Sequence, residues 1–272
     1  MKRKYFLNLL KGLNPVKNKP FNTKKDIVIE MLEKVIDGEE LTLAEQYKLV
    51  CCIHVSALTG KLEDIYSVSS SVAENDACKA RAKDCKSICH ECYAAAAINY
   101  RSNLKLSLLI NHIILNCFDI SPIAWQELRI PVIIGKSRIE SHGDVASATA
   151  AGNMNKIVAT HKFIDFGVWT KNTYFWYLAF EKYGKPENMV FIVSSDRLNT
   201  VLDVPEYIKP YVDHVFTVFD FETVKRDHVE IQCGYHHCNT CLKCYTIGNT
   251  DYYINEILKK DTKKYKAYMG IE

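Results

Sequence analysis

The stretch IYSVSSSVAENDACKARAKDCKSICHECYAAAAINY (65–100) puts a strand, a cysteine loop and an alanine-rich helix in immediate succession. Its first seven residues, IYSVSSS (65–71), have the β-branched and aromatic content of a strand. YAAAAINYRSNLKLSLLINHIILNCF (93–118) has helical propensity and periodicity throughout. Between them stand Cys78, Cys85, Cys89 and Cys92, spaced C-x6-C-x3-C-x2-C. A strand handed to a helix through such a loop reads as the first unit of a β/α array. In such arrays the loops after the strands carry the chemistry.

Five more strands are predicted downstream: IPVIIGKSRI (130–139), FIDFGVWT (163–170), MVFIVSS (189–195), HVFTVFD (214–220) and HVEIQC (228–233). Helix-compatible stretches such as NTYFWYLAFEKYG (172–184) separate several of them. The expected fold is therefore α/β, a partial (β/α)6 barrel-like parallel sheet. No G-x-G-x-x-G follows the first strand, which weighs against a dinucleotide-binding sheet. Upstream, apolar steps of three and four residues predict two amphipathic helices, the first stopped at Gly38. Thr42 and Glu45 have the spacing of a capping box for the second, which carries Cys51 and Cys52 as core thiols. Cys117 reads as packing at the end of the 93–118 helix. The expected organisation is an N-terminal helical segment over 1–60, a β/α core over 61–232, and a cysteine-rich segment with a C-terminal helix over 233–272.

Composition is that of a globular chain: 272 residues, 48% hydrophobic and 25% charged. No apolar run approaches the ~18 residues of a membrane span. The basic start MKRKYFLNLLKGLNPVKNKPF has only a short apolar patch and no small-residue cleavage site, so it does not read as a secretory signal. A net charge of +3 is too mild to imply nucleic-acid binding, and the lysines of VKNKPFNTKKD and ILKKDTKKYKAY read as solvated ends. The 11 cysteines are odd in number, in a chain neither small nor visibly secreted. That argues against a disulfide framework and for metal sites in a reducing cytoplasm.

Within CKSICHEC, Cys85, Cys89 and Cys92 can aim three thiolates at three corners of a cubane iron–sulfur cluster, leaving the fourth iron free to chelate. With Tyr93 and a helix following, this motif resembles the radical S-adenosylmethionine enzymes. The resemblance implies that the open iron binds the amino and carboxylate groups of S-adenosylmethionine and that the cluster cleaves it to a 5′-deoxyadenosyl radical. Cys78 is an extra thiol. If it also ligates, the cluster closes and has no open iron. The rival is a structural zinc site of Cys78, Cys85, Cys89 and Cys92.

After the second strand comes KSRIESHGDVAS, where Gly143-Asp144 falls at the place of that family's glycine-rich, acid-ended motif. A carboxylate there would accept hydrogen bonds from an ammonium, and glycine permits close backbone approach. Arg138, Glu140 and His142 alternate with Ile139 and Ser141 and would share one face. The chain is also similar to the phage "gene product 88" family over most of 60–245. Cys92-Tyr93-Ala94, Arg138-Ile139, Gly143-Asp144 and Thr170-Lys171 match that family's pattern, with Glu140 where the family has histidine. This similarity implies a phage or prophage origin and hence a bacterial host cytoplasm, but no substrate.

At later strand ends, Lys171 is a candidate for a carboxylate or phosphate. Ser194 or Asp196 is one for a ribose hydroxyl, unless Ser195-Asp196 caps a helix. CGYHHCNTCLKCY brings Cys233, Cys238, Cys241 and Cys244 together, its last three at the C-x2-C-x2-C spacing of ferredoxins. It resembles the auxiliary-cluster segments of some radical S-adenosylmethionine enzymes, while a zinc ribbon would have His236 and His237 as spare ligands. The expected function is an iron–sulfur redox enzyme with one or two [4Fe-4S] clusters, S-adenosylmethionine, and a reductant such as flavodoxin or ferredoxin. The alternative is a non-catalytic zinc or closed-cluster protein that binds nucleic acid or a host protein.

Overall fold

The computed structural model describes residues 2–13 and 19–270. Lys17 of the amino-terminal lysine run, and part of the stretch weighed as a secretory signal, lie outside the described residues. Three helices come first: α1 (Lys2–Gly12), α2 (Lys19–Ile36) and α3 (Leu43–Cys52). Gly38, at a φ of 90°, ends the α2 region as expected. The capping box is present, with the Thr42 N–H donating to the Glu45 carboxylate at 2.8 Å and the Glu45 N–H donating to the Thr42 hydroxyl. But α3 ends at Cys52, well short of residue 60. Ile53 turns extended, and strand β1 (Val55–Ala57) follows because Val55 pairs with Val68, a long-range contact that local periodicity does not register. Cys52 is buried as predicted, whereas Cys51 is exposed.

Among the described residues, seven strands form one sheet in chain order: β1, β2 (Tyr66–Val68), β3 (Lys136–Ile139), β4 (Asp165–Thr170), β5 (Met189–Ser194), β6 (His214–Phe219) and β7 (Tyr253–Ile257). β1 is antiparallel to β2, and every later pair is parallel. Parallel neighbours need crossovers. These include α4 (Asp76–Lys83), α5 (Tyr93–Tyr100), α6 (Ser102–Cys117), α7 (Pro122–Trp125), α8 (Ala148–Thr160) and α9 (Thr173–Tyr183). Between β6 and β7 lie α10 (Phe221–Asp227) and α11 (Cys238–Cys241), and α12 (Thr262–Met269) comes last. The strand order never reverses, so this sheet lacks the switch point of a doubly wound fold.

Three predicted elements differ. HVEIQC is not a strand. It contributes a single bridge from Cys233 to Glu256 and then leaves at Gly234, where an added Cβ would lie 2.6 Å from Ile257. The edge strand is β7, inside the segment assigned to the cysteine-rich tail. Of IPVIIGKSRI only Lys136–Ile139 pairs. Pro131 has no N–H to offer a ladder, and Val132 and Ile133 are exposed. The 93–118 helix is broken at Arg101 (φ −121°, ψ 79°) into α5 and α6.

Side chains alternate across the sheet. Val68, Ile139, Phe166, Val168, Phe191, Val193 and Val215 face the helices in one apolar cluster. The N-terminal helices share that cluster through Phe6, Leu10, Val28, Met31, Leu32 and Leu49, so they are part of the same core. Ser67, Arg138 and Gly167 pair side by side, and with Trp169 they point to the opposite face. That face is where the chemistry-bearing residues gather.

Candidate functional site

The first cysteine group is built over the carboxyl ends of the strands. Asn75, fully buried, caps α4 through the N–H groups of Ala77 and Cys78, and its amide donates to the Asp144 carbonyl at 2.6 Å. The loop after α4 is stitched to the end of β5. Ile88 N–H donates to the Asp196 carbonyl at 2.9 Å, Ser87 bridges to Arg197, and Arg197 pairs with Asp84 at 2.8 Å. Asp196 thus anchors the cysteine loop, the Ser195 hydroxyl bonds the Arg197 backbone, and neither caps a helix. Cys92 begins α5, and the Tyr93 hydroxyl donates to the Ser141 carbonyl beyond β3 at 2.5 Å.

The four thiols of this group have different surroundings. Cys78 and Cys92 pack against an apolar satellite of Val72, Ala94, Ile98 and Leu108, while Cys85 is exposed and Cys89 half-buried. Burial pushes the Cys78 thiol well above its ordinary range, and Asp144 and Glu140 add to the effect.

Beyond β3 two carboxyl groups have opposite fates. The Asp144 carboxylate accepts from the Thr170 hydroxyl (2.7 Å), its neighbour Val145 N–H (2.8 Å), Lys171 N–H (3.0 Å) and the Arg81 guanidinium (3.4 Å). Arg81 also donates to the Lys171 carbonyl and to Asn172. Asp144 therefore ties the end of β3 to β4 and α4 using about all four of a carboxylate's lone-pair directions. Glu140 is buried at a φ of 60°, a left-handed value rare for such a side chain. It accepts from the Ser70 N–H (2.9 Å) and hydroxyl (2.7 Å). Burial still pushes its pKa up to about 8, outweighing those bonds. Gly143 is required here: at a φ of 86°, an added Cβ would lie 2.9 Å from the Ser70 carbonyl. A run of hydroxyls, Ser67 to Ser69 to Ser141, ends on His142 Nδ1 at 3.1 Å. Lys171 donates to Ser194 at 3.2 Å.

The second cysteine group is not carried on a strand: Cys233 bridges to Glu256 near the end of β7, and the segment then runs back to β4. Its Cys244-Tyr245 end packs on the face of β4 opposite Phe166 and Val168. An added Cβ on Gly167 would lie 2.8 Å from the Cys244 carbonyl and 2.9 Å from the Tyr245 ring, so the glycine of β4 makes room for this segment. Asn239 of α11 reaches Asp64, just before β2. Lys61, in the same connection, donates to Cys233 Sγ at 3.1 Å and pairs with Glu256 of β7 at 2.5 Å. That pair brings the β1–β2 connection against the far edge strand.

Arg138 lies between the two groups. Its guanidinium sits 4.0 Å over the Trp169 ring, which packs on Tyr245 at 5.5 Å. Burial opposes its charge, while Tyr245, Tyr93, Cys238 and Cys244 sustain it. Its Nε is sealed from solvent with no hydrogen-bond partner among the described residues. Burial pushes the thiols of Cys233, to about 11, and of Cys244 upward.

All eleven cysteines are free, and among the described residues no three Cys, His, Asp or Glu groups are gathered as a ready metal site. Cys241, His236 and His237 are exposed. The donor set still fits a thiophilic metal: the second group supplies four free thiols beside two cations, one of them with an orphaned donor. Lys61, Trp169, Tyr245 and Glu256 were not legible as site residues. One signal was available, since Cys92-Tyr93 and Cys244-Tyr245 end both groups with the same dipeptide. No family model, curated protein or solved structure matches this chain.

Proposed function

We propose that the chain is an iron–sulfur redox enzyme of radical S-adenosylmethionine type, on a partial β/α barrel. The observation that carries the reading is that the tyrosine ending each cysteine group reaches the Arg138 region: Tyr93 donates to the Ser141 carbonyl just beyond β3, and Tyr245 packs on the Trp169 ring that the Arg138 guanidinium covers. Strands in unreversed order, with the β1–β2 connection touching β7 through Lys61 and Glu256, support the barrel.

In this reading Cys85, Cys89 and Cys92 hold the catalytic cluster. Cys78, half-buried against the apolar satellite, is left off the cluster in this reading, which keeps one iron open. Held there, a cluster with an open iron would supply to the sulfonium of S-adenosylmethionine one electron received from the reductant. Asp144 positions the end of β3 against β4. Tyr93 is 59% exposed, and His142 sits edge-on to its ring at 6.1 Å. Lys171 and Ser194 border the same strand ends and suit a carboxylate and a hydroxyl. Cys233, Cys238, Cys241 and Cys244 hold the auxiliary cluster, and flavodoxin or ferredoxin is the class of reductant required.

One observation favours a second reading. Asp144 has no free lone pair for the ammonium of S-adenosylmethionine, which suits a closed cluster or zinc site in a non-catalytic phage protein that binds nucleic acid or a host protein. Reconstitution with iron and sulfide without oxygen, then incubation with S-adenosylmethionine and dithionite, separates the two. We expect 5′-deoxyadenosine from wild type and none from Cys89→Ala. An iron-loaded wild type that yields none would favour the second reading.

A further inference from the structure

Two cations lie at the second cysteine group: Lys61 donates to Cys233 Sγ at 3.1 Å, beside Glu256, and Arg138 stacks on the Trp169 ring against which Tyr245 packs. We propose that Arg138 and Lys61 are the counter-charges of the second cysteine group and set its affinity for metal. The inference rests on the reading that this group binds metal, and it identifies residues outside the cysteine motif on which that binding depends.

Four thiolates around a divalent ion, or around an oxidised cubane, make a dianion. Burying a dianion without compensation is costly, so such sites draw on donors and cations from the surrounding shell. Lys61 already donates to Cys233 Sγ at 3.1 Å while paired with Glu256. Arg138 has no carboxylate within ion-pairing distance among the described residues, so its charge is not spent on an ion pair. It is anchored by stacking on Trp169, against which Tyr245 also packs. Arg138 pairs in register with Gly167, and Gly167 lies against the Cys244 carbonyl, so guanidinium and thiol segment share one small stretch of sheet. A guanidinium whose Nε is sealed from solvent without an acceptor is a costly arrangement. A metal–thiolate dianion beside it removes the cost.

The test is cobalt(II) titration of the anaerobic full-length chain, following thiolate-to-cobalt absorption and competing with a chelator. The part of the band lost in Cys238→Ser/Cys244→Ser belongs to the second group. For that part, Arg138→Gln and Lys61→Met should each weaken apparent affinity about ten- to hundredfold. Lys61→Met should be the worse, because it leaves Glu256 facing Cys233. Arg138→Lys keeps the charge and should recover most of the affinity. Arg138→Gln binding as tightly as wild type would overturn the proposal. So would Arg138→Lys as weak as Arg138→Gln, which would mark a packing role on Trp169. A wild type with no Cys238/Cys244-dependent band removes the metal reading itself, and the counter-charge proposal with it.

Discussion

Asp144→Ala should lower the free energy of unfolding by about 3–5 kcal/mol, the range for removing one partner of a buried charged network. The carboxylate is 5% exposed and is the shared acceptor for Thr170, Val145, Lys171 and Arg81. Alanine strands two backbone N–H groups and a hydroxyl in a site where water does not reach them. Arg81 keeps the Lys171 carbonyl and Asn172 as acceptors, which limits the loss. Asp144→Asn should be only slightly milder, because either orientation of the amide turns an NH2 toward donors. Urea unfolding at neutral pH measures both. A change under about 1 kcal/mol in Asp144→Ala would mean that the clamp does not hold β3 to β4.

The second large effect is on pH dependence. Glu140 has a pKa of about 8 in the folded chain and the ordinary value of about 4.3 when unfolded. Between those values the folded state binds the extra proton. Stability therefore falls as pH rises from about 4.5 to about 8, and above that range the full cost of the buried charge is present. Allowing for relaxation around the charge, that cost is about 2–4 kcal/mol. Glu140→Gln is neutral throughout and can still meet Ser70, accepting from its N–H while donating to its hydroxyl. Its stability should match wild type near pH 5 and exceed it by about 2–4 kcal/mol near pH 9. Unfolding curves at the two pH values would show this, and parallel pH slopes for the two proteins would refute it.

Glu140 and Asp144 also mark how far the sequence can be read. Gly143-Asp144 after the second parallel strand was legible as a strand-end motif, and Gly143 does sit where no Cβ fits. What the motif could not reveal is that Asp144 is saturated, because its donors come from residues as distant as Arg81 and Lys171. Periodicity found five of the seven strands through their β-branched runs. It missed β1, whose three residues are strand only because β2 lies beside them, and β7, whose aromatic run follows the cysteine segment. HVEIQC makes only a single bridge, and the end of the second cysteine group depends instead on Gly167 leaving space in β4. A glycine inside a strand was the available clue.

Central to the proposed function is that both cysteine groups hold iron–sulfur clusters. The most direct measurement is iron and acid-labile sulfide per chain, with the visible spectrum, after anaerobic reconstitution of wild type and of the variant with Cys233, Cys238, Cys241 and Cys244 all changed to serine. Two cubanes predict about eight irons in wild type and about half that in the variant, both with visible absorption that bleaches on reduction. A colourless wild type that takes up zinc and no iron would contradict the claim.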